Sequence, residues 1–243
     1  ILFILAPYLS NNGLDSECVL KLALLWMAIG CFFFRQHVVT STAFLNRIAV
    51  VFRLAVPARK FDYFVYGSNM LENRLRQATR APSATFIRVG SLRGHRLRFY
   101  KRSLDESGKC NLESTGDPKD LVYGVLFEID EVDRGSLNIA EGVPLSGYSL
   151  RRVSVERLDG QVETVADTYI ATEEYIEDSL KPFDWYRALA VAGALEHSLP
   201  DHYVSELQKV SAVRDPDDDR REVGMTLLGS YRARFEVSRP TAS

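Results

Sequence analysis

Glu141 stands between a helix-like stretch and Gly142-Val143-Pro144. A carboxylate on a loop bounded by glycine and proline, beside buried strands, can be partly desolvated, the setting that suits a general base. An exposed glutamate at a helix end is the plainer alternative. Well upstream, the aromatic and β-branched run Phe61 to Tyr66 stops abruptly at Gly67-Ser68-Asn69. A strand, a glycine turn and a helix start in that order point N–H groups out of the helix, where the dipole favours an anion or a carbonyl oxygen. Many such junctions bind nothing, so the turn counts only with what the rest of the chain supplies. Tyr66, Tyr123, Tyr148, Tyr169 and Tyr186 each lie in or beside an apolar segment. Core packing with a partnered hydroxyl is the default role of such tyrosines. His95, His197 and His202 show no metal spacing and no serine or cysteine partner, which points to structural or surface roles. Arg74, Arg76 and Arg80, after the turn, read as a solvated helix face rather than a phosphate clamp.

Several classes of function are poorly supported. The chain has no G-x-S-x-G, no Walker loop and no G-x-G-x-x-G, which argues against a hydrolase triad and against nucleotide or dinucleotide binding. Its three cysteines, Cys18, Cys31 and Cys110, form no CxxC or Cys/His cluster, so neither a metal site nor a disulfide scaffold is expected. A single cysteine in the body fits a reducing, cytoplasmic location. The net charge of −2 gives no sign of a nucleic-acid partner.

The elements that must position Glu141 and the turn read as a mixed α+β domain over residues 61–237. After the first strand, Leu71 to Thr79 has helix-forming residues, with Ser68 or Asn69 placed to cap it. Ala84 to Gly90 and Leu92 to Tyr100 read as strands, and the polar stretch Lys101 to Asp120 as a long loop. Leu121 to Ile129 is a buried strand, and Asp130 to Ala140 is helical. Tyr148–Arg157 and Glu163–Ala171 form a hairpin about Asp159-Gly160. Pro182 to His197 is the clearest helix, with Leu189, Val191, Ala192 and Leu195 on its apolar side, and Pro200 to Val210 is a second. Arg214 to Glu222 reads as a solvated turn, Met225 to Val237 as a last strand, and 238–243 as a disordered tail.

Residues 1–60 read differently. They carry a charge of +4 against −6 for the remainder. Leu22 to Phe34 is apolar throughout, but its thirteen residues fall short of the ~20 that span a bilayer. Membrane association is therefore expected only if residues 18–34 act as an anchor. A packing helix and translated sequence upstream of a start near Val56 are the other readings, and the last is favoured because the domain begins abruptly at Phe61 and the chain opens on Ile1.

Together these segments resemble the γ-glutamylcyclotransferase family. Tyr66-Gly67-Ser68-Asn69-Met70 is similar to its Y-G-S-N-[LM] signature. Gly116-Asp117 followed by Val122 to Phe127 resembles its next buried strand. Leu137 to Val143, with Tyr148 seven residues after Glu141, resembles its catalytic segment, and Tyr169 falls where the family has a pocket tyrosine. Tyr186, Gly193-Ala194, Leu199-Pro200 and Tyr203 resemble the Y-x6-G-A-x4-L-P-x2-Y pattern of its late helices. These ordered matches cover residues 61–207; residues 1–60 lie outside them, and 101–120 at most loosely within.

The resemblance implies a small mixed barrel or sheet flanked by helices, and a reaction without cofactor or metal. In that reaction the α-amine of a γ-glutamyl compound attacks its own γ-carbonyl, forming 5-oxoproline and releasing an amino acid. Glu141 would be the acid/base. Gly67, Ser68 and Asn69 would hold anionic parts of the substrate, and Tyr66, Tyr148, Tyr169 and Tyr186 would line the pocket. The expected partner is thus a small γ-glutamyl substrate. A γ-glutamylamine cyclotransferase and a non-catalytic binding module on the same fold are the rival readings.

Overall fold

Aromatic and β-branched residues favour extended chain, and the run at 60–65 forms β1 (Lys60–Val65), buried over Tyr63, Phe64 and Val65. In the computed structural model, residues 59–159 and 164–236 are described. Residues 160–163, with Gly160 of the expected hairpin turn, residues 1–58, with Cys18 and Cys31, and residues 237–243, with the expected disordered tail, lie outside them. The chain divides after Pro57, and every element below belongs to the unit Ala58–Ser243.

β1 lies at the centre of a five-stranded mixed sheet of order β2-β5-β1-β7-β6. It pairs antiparallel with β5 (Leu121–Asp130) and parallel with β7 (Thr164–Ala171). β2 (Thr85–Arg93) pairs antiparallel with β5, and β6 (Tyr148–Val155) with β7, as the hairpin pattern predicts. Among the described residues, the edge strand β2 meets the chain just past the other edge, β6, at one antiparallel bridge between Ser91 and Glu156. The α+β class is therefore as expected, whereas the strands form a sheet drawn round to a single bridge rather than a closed barrel.

Three expectations fail here. Lys101–Asp120 is no loop: β3 (His95–Arg102) and β4 (Gly108–Ser114) form a separate antiparallel ribbon. Its charged residues pair across strands, as when Arg98 meets Glu113 at 3.2 Å, and onto the turn between them, as when Lys109 meets Asp105 at 2.7 Å, so polarity did not imply irregular chain. The segment at 214–222 is not simply solvated. Asp215 is fully buried and accepts hydrogen bonds from Trp185 Nε1 and Arg220, and a helix begins three residues later. Finally, 225–237 is not a strand. Met225 closes the helix Asp218–Thr226, and a 3₁₀ segment follows over Gly229–Arg234.

The helices cover the sheet. The short α1 (Glu72–Leu75) follows the glycine turn, and α2 (Arg134–Ala140) follows β5. α3 (Asp184–Glu196) is buried on nearly every side, because Ala188 to Ala194 offers only apolar or absent side chains. It packs against α4 (Asp201–Lys209) and α5 (Asp218–Thr226), the helix that follows Asp215. At Gly193 a Cβ would sit 2.4 Å from Leu71 N and 2.6 Å from Met70 Cβ, so only glycine lets α3 press this closely on the turn after β1.

Candidate active site

That contact shapes the turn. Gly67, Ser68, Asn69 and Met70 form a single 3₁₀ turn in which Met70 N–H donates to Gly67 O at 2.9 Å. Such a turn leaves the N–H groups of Ser68 and Asn69 without a partner inside it. α1 is only four residues long and is preceded by Leu71, with no side-chain cap from Ser68 or Asn69. The sequence misplaced the helix start because the Asn69 side chain is engaged elsewhere. Gly67 has φ −127°, which any residue can adopt, so left-handed backbone is not what requires glycine here. The constraint is contact: a Cβ would lie 2.9 Å from Cys110 Cβ.

Asn69 Nδ2 donates to Glu141 Oε1 at 2.8 Å, joining the turn after β1 to the end of α2. Glu141 caps α2, its N–H bonded to Leu137 O, and the left-handed Gly142 (φ +70°) then turns the chain back toward β6. Arg80 Nη1 also reaches Glu141 Oε1, at 3.0 Å, with both side chains largely buried. Arg80 thus belongs to the site rather than to a solvated face. Arg74 does too, whereas Arg76 is exposed and pairs with Glu72.

Five tyrosines surround this pair. Tyr66, Tyr148, Tyr169 and Tyr186, the four expected pocket residues, line one small cavity of about 30 Å³ together with Gly67, Ser68, Asn69 and Glu141. Tyr63 joins them; sequence reading placed it in a strand but not in the pocket. Tyr66 Oη donates to Tyr169 O, Tyr169 Oη to Asn138 Oδ1 (2.6 Å) and Tyr148 Oη to Cys110 O (2.6 Å), while Tyr186 Oη accepts from Cys110 N–H (3.2 Å). Burial above all, and after it neighbouring negative groups including Glu141, pushes the hydroxyls of Tyr63, Tyr66, Tyr148 and Tyr169 well above the usual tyrosine range. They are neutral hydroxyls at ordinary pH. Cys110, between Tyr148 and Tyr186, is likewise pushed up to about 12 by burial, so its thiol is no ready nucleophile.

A larger chamber of about 210 Å³ adjoins the cavity and shares Ser68, Glu141, Tyr148 and Tyr186 with it. Arg74, Arg80, Lys101 and Lys109 line this chamber, two from the segment after the turn and two from the β3–β4 ribbon. Treating the ribbon as a loop hid the last two. Tyr123 lies elsewhere, packed against Tyr203 and His202. His197 is structural, bonded to Met70 O and stacked on Phe86. Among the described residues no group of three or more His, Cys, Asp or Glu is placed to hold a metal ion, and no helix is long and apolar enough to cross a membrane.

A pocket with one largely buried carboxylate, a neighbouring 3₁₀ turn and a wall of neutral tyrosines lies on a mixed sheet flanked by helices, and other proteins share this fold. An AIG2-like family model matches residues 121–207. The chain is 30% identical to a γ-glutamylcyclotransferase of Homo sapiens over 165 residues, which cover 65% of this chain and 80% of that protein. A Mus musculus γ-glutamylcyclotransferase is 29% identical over 153 residues, covering 62% and 78%. A solved γ-glutamyl cyclotransferase structure superposes with a TM-score of 0.60 at 27% identity, covering 68% of this chain and 99% of that one. The chain belongs to the γ-glutamylcyclotransferase family.

Proposed function

We propose that this protein converts a γ-glutamyl amino acid to 5-oxoproline and the free amino acid, with Glu141 as the acid/base. The observation that carries this reading is the Asn69–Glu141 hydrogen bond, which holds the carboxylate within the same cavity as the turn and the tyrosines. Among the described residues, the bonds from Asn69 and Arg80 both fall on Oε1, which leaves Oε2 for the substrate ammonium.

The chemistry asks little more of the protein. Glu141 takes a proton from the substrate α-ammonium, and the freed amine attacks the γ-carbonyl carbon within the same molecule. Proximity comes from the folded substrate once the pocket holds the cyclic conformer. The tetrahedral oxyanion is suited to the N–H groups of Ser68 and Asn69, which donate without carrying charge. As the C–N bond to the leaving group breaks, protonated Glu141 gives its proton to the departing nitrogen, and the second proton that the ring nitrogen sheds on becoming a lactam passes through the same carboxylate to the released amine. The ring closes as 5-oxoproline.

The test is direct. Purified protein incubated with γ-glutamyl-alanine, γ-glutamyl-lysine and glutathione should yield 5-oxoproline, with γ-glutamyl-alanine the best substrate of the three. Release of 5-oxoproline from none of them would reject the reading. Preference for the amine linkage of γ-glutamyl-lysine would move the protein to the γ-glutamylamine reaction.

A further inference from the structure

The outer chamber carries more positive charge than its carboxylates balance. Arg80 is paired with Glu141 at 3.0 Å, and Lys109 with Asp105 at 2.7 Å. Arg74 and Lys101 form no ion pair among the described residues, yet neither is free in solvent. Lys101 is only 8% exposed, its Nζ 4.7 Å from the Tyr148 ring and 5.2 Å from the Tyr175 ring. Arg74 lies 6.0 Å from the Tyr186 ring, and its Nε is buried without a hydrogen-bond partner. Burial pushes both groups below their ordinary values, Arg74 to about 10. Lys101 is a buried cation without an acidic partner and Arg74 a half-buried one, and leaving both unpaired at one chamber costs free energy that an anionic ligand would relieve.

The inner cavity, with the turn and Glu141, suits the reacting glutamyl end, so the outer chamber faces the leaving group. We propose that this chamber is an anion subsite selecting γ-glutamyl substrates whose leaving amino acid carries two carboxylates, with Arg74 and Lys101 as its specificity-determining residues. An α-carboxylate answers one of the two unpaired cations, and a side-chain carboxylate answers the other. Leu104, Ile139 and Leu145 also line the chamber, but all three are exposed to solvent, so the pull on an anion comes from the two cations themselves. The inference rests on the cyclotransferase reading above.

The experiment compares γ-glutamyl-glutamate with γ-glutamyl-glutamine, leaving groups of the same shape that differ by one charge. The parent protein should show kcat/KM at least about tenfold higher for the acidic substrate, a gap that narrows as salt is raised. In Lys101→Met and Arg74→Gln the ratio should fall below about threefold, and because it is a ratio it does not depend on how much of each variant is folded. Calorimetry with free glutamate and free glutamine reads the subsite without turnover, with only glutamate expected to bind the parent and neither to bind the variants. Equal or reversed preference in the parent, or a preference undiminished in both variants, would overturn the subsite. Absence of 5-oxoproline from both peptides, with glutamate still bound selectively, would instead overturn the cyclotransferase reading.

Discussion

Glu141 holds its position through two partners on different segments, Asn69 at 2.8 Å and Arg80 at 3.0 Å. Both can bond a neutral amide oxygen as well as a carboxylate, so Glu141→Gln should fold normally. Its turnover of γ-glutamyl-alanine should fall by at least about 100-fold, because an amide cannot accept and return the proton. Circular dichroism and a 5-oxoproline assay on the same sample check both halves of that expectation, and parental turnover would remove Glu141 from the acid/base role. The ordered resemblance to the family marked Glu141, the turn and four tyrosines; on residue identity alone an exposed helix-end glutamate and core tyrosines were the plainer readings. It did not mark Tyr63, Arg74, Arg80, Lys101 or Lys109. A charged side chain looks the same in sequence whether it faces water or a chamber, and only its neighbours tell the two apart.

At the scale of elements, the turn bearing Asn69 is held from behind by α3, and Gly193 is the point of closest approach. Gly193→Ala should therefore cost at least about 1–3 kcal/mol, read from urea unfolding, and should weaken activity beyond the fraction unfolded. An unchanged midpoint would show that α3 can slide away without disturbing the turn. The other end of α3 is tied by Trp185 Nε1, which donates at 2.8 Å to the buried Asp215, itself paired with Arg220. Burial works against the Asp215 charge, but the bonds from Arg220, Trp185 and Asp217 outweigh it and draw the carboxyl down to about 2. A depressed carboxyl contributes stability that is full above the ordinary aspartate value near 4 and is lost as pH falls toward 2. Asp215→Asn should then lower stability by about 3 kcal/mol at pH 7, with the difference from the parent shrinking between pH 4 and pH 2 in thermal melts. A constant difference across that range would mean that the charge of Asp215 contributes nothing. The sequence reading took 214–222 for a solvated turn because Asp-Pro-Asp-Asp-Asp is a typical surface composition; one of those aspartates is buried because a tryptophan and an arginine meet it there.

For the whole molecule, the contacts divide after Pro57, and the sheet, helices and candidate site all fall in Ala58–Ser243. A chain of residues 58–243 should unfold in one transition and keep the parental kcat/KM for γ-glutamyl-alanine within about threefold, measured by thermal melts and the 5-oxoproline assay. Loss of folding would show that residues 1–57 contribute to this unit. The sequence by itself determined the α+β class, most of the strands, the helices α3 and α4 and a set of residues that meet in one cavity, because these depend on local periodicity, turn chemistry and an ordered set of motifs. Only the tertiary structure decided that the polar 101–120 stretch contributes a β-ribbon, that residues 225–236 run from a helix end into a 3₁₀ segment, and that four basic residues from two separate segments line one chamber beside Glu141. The physical reason is the same in each case: pairing partners, burial and net local charge are properties of neighbours in space, and neighbours distant in the chain leave no local pattern in it.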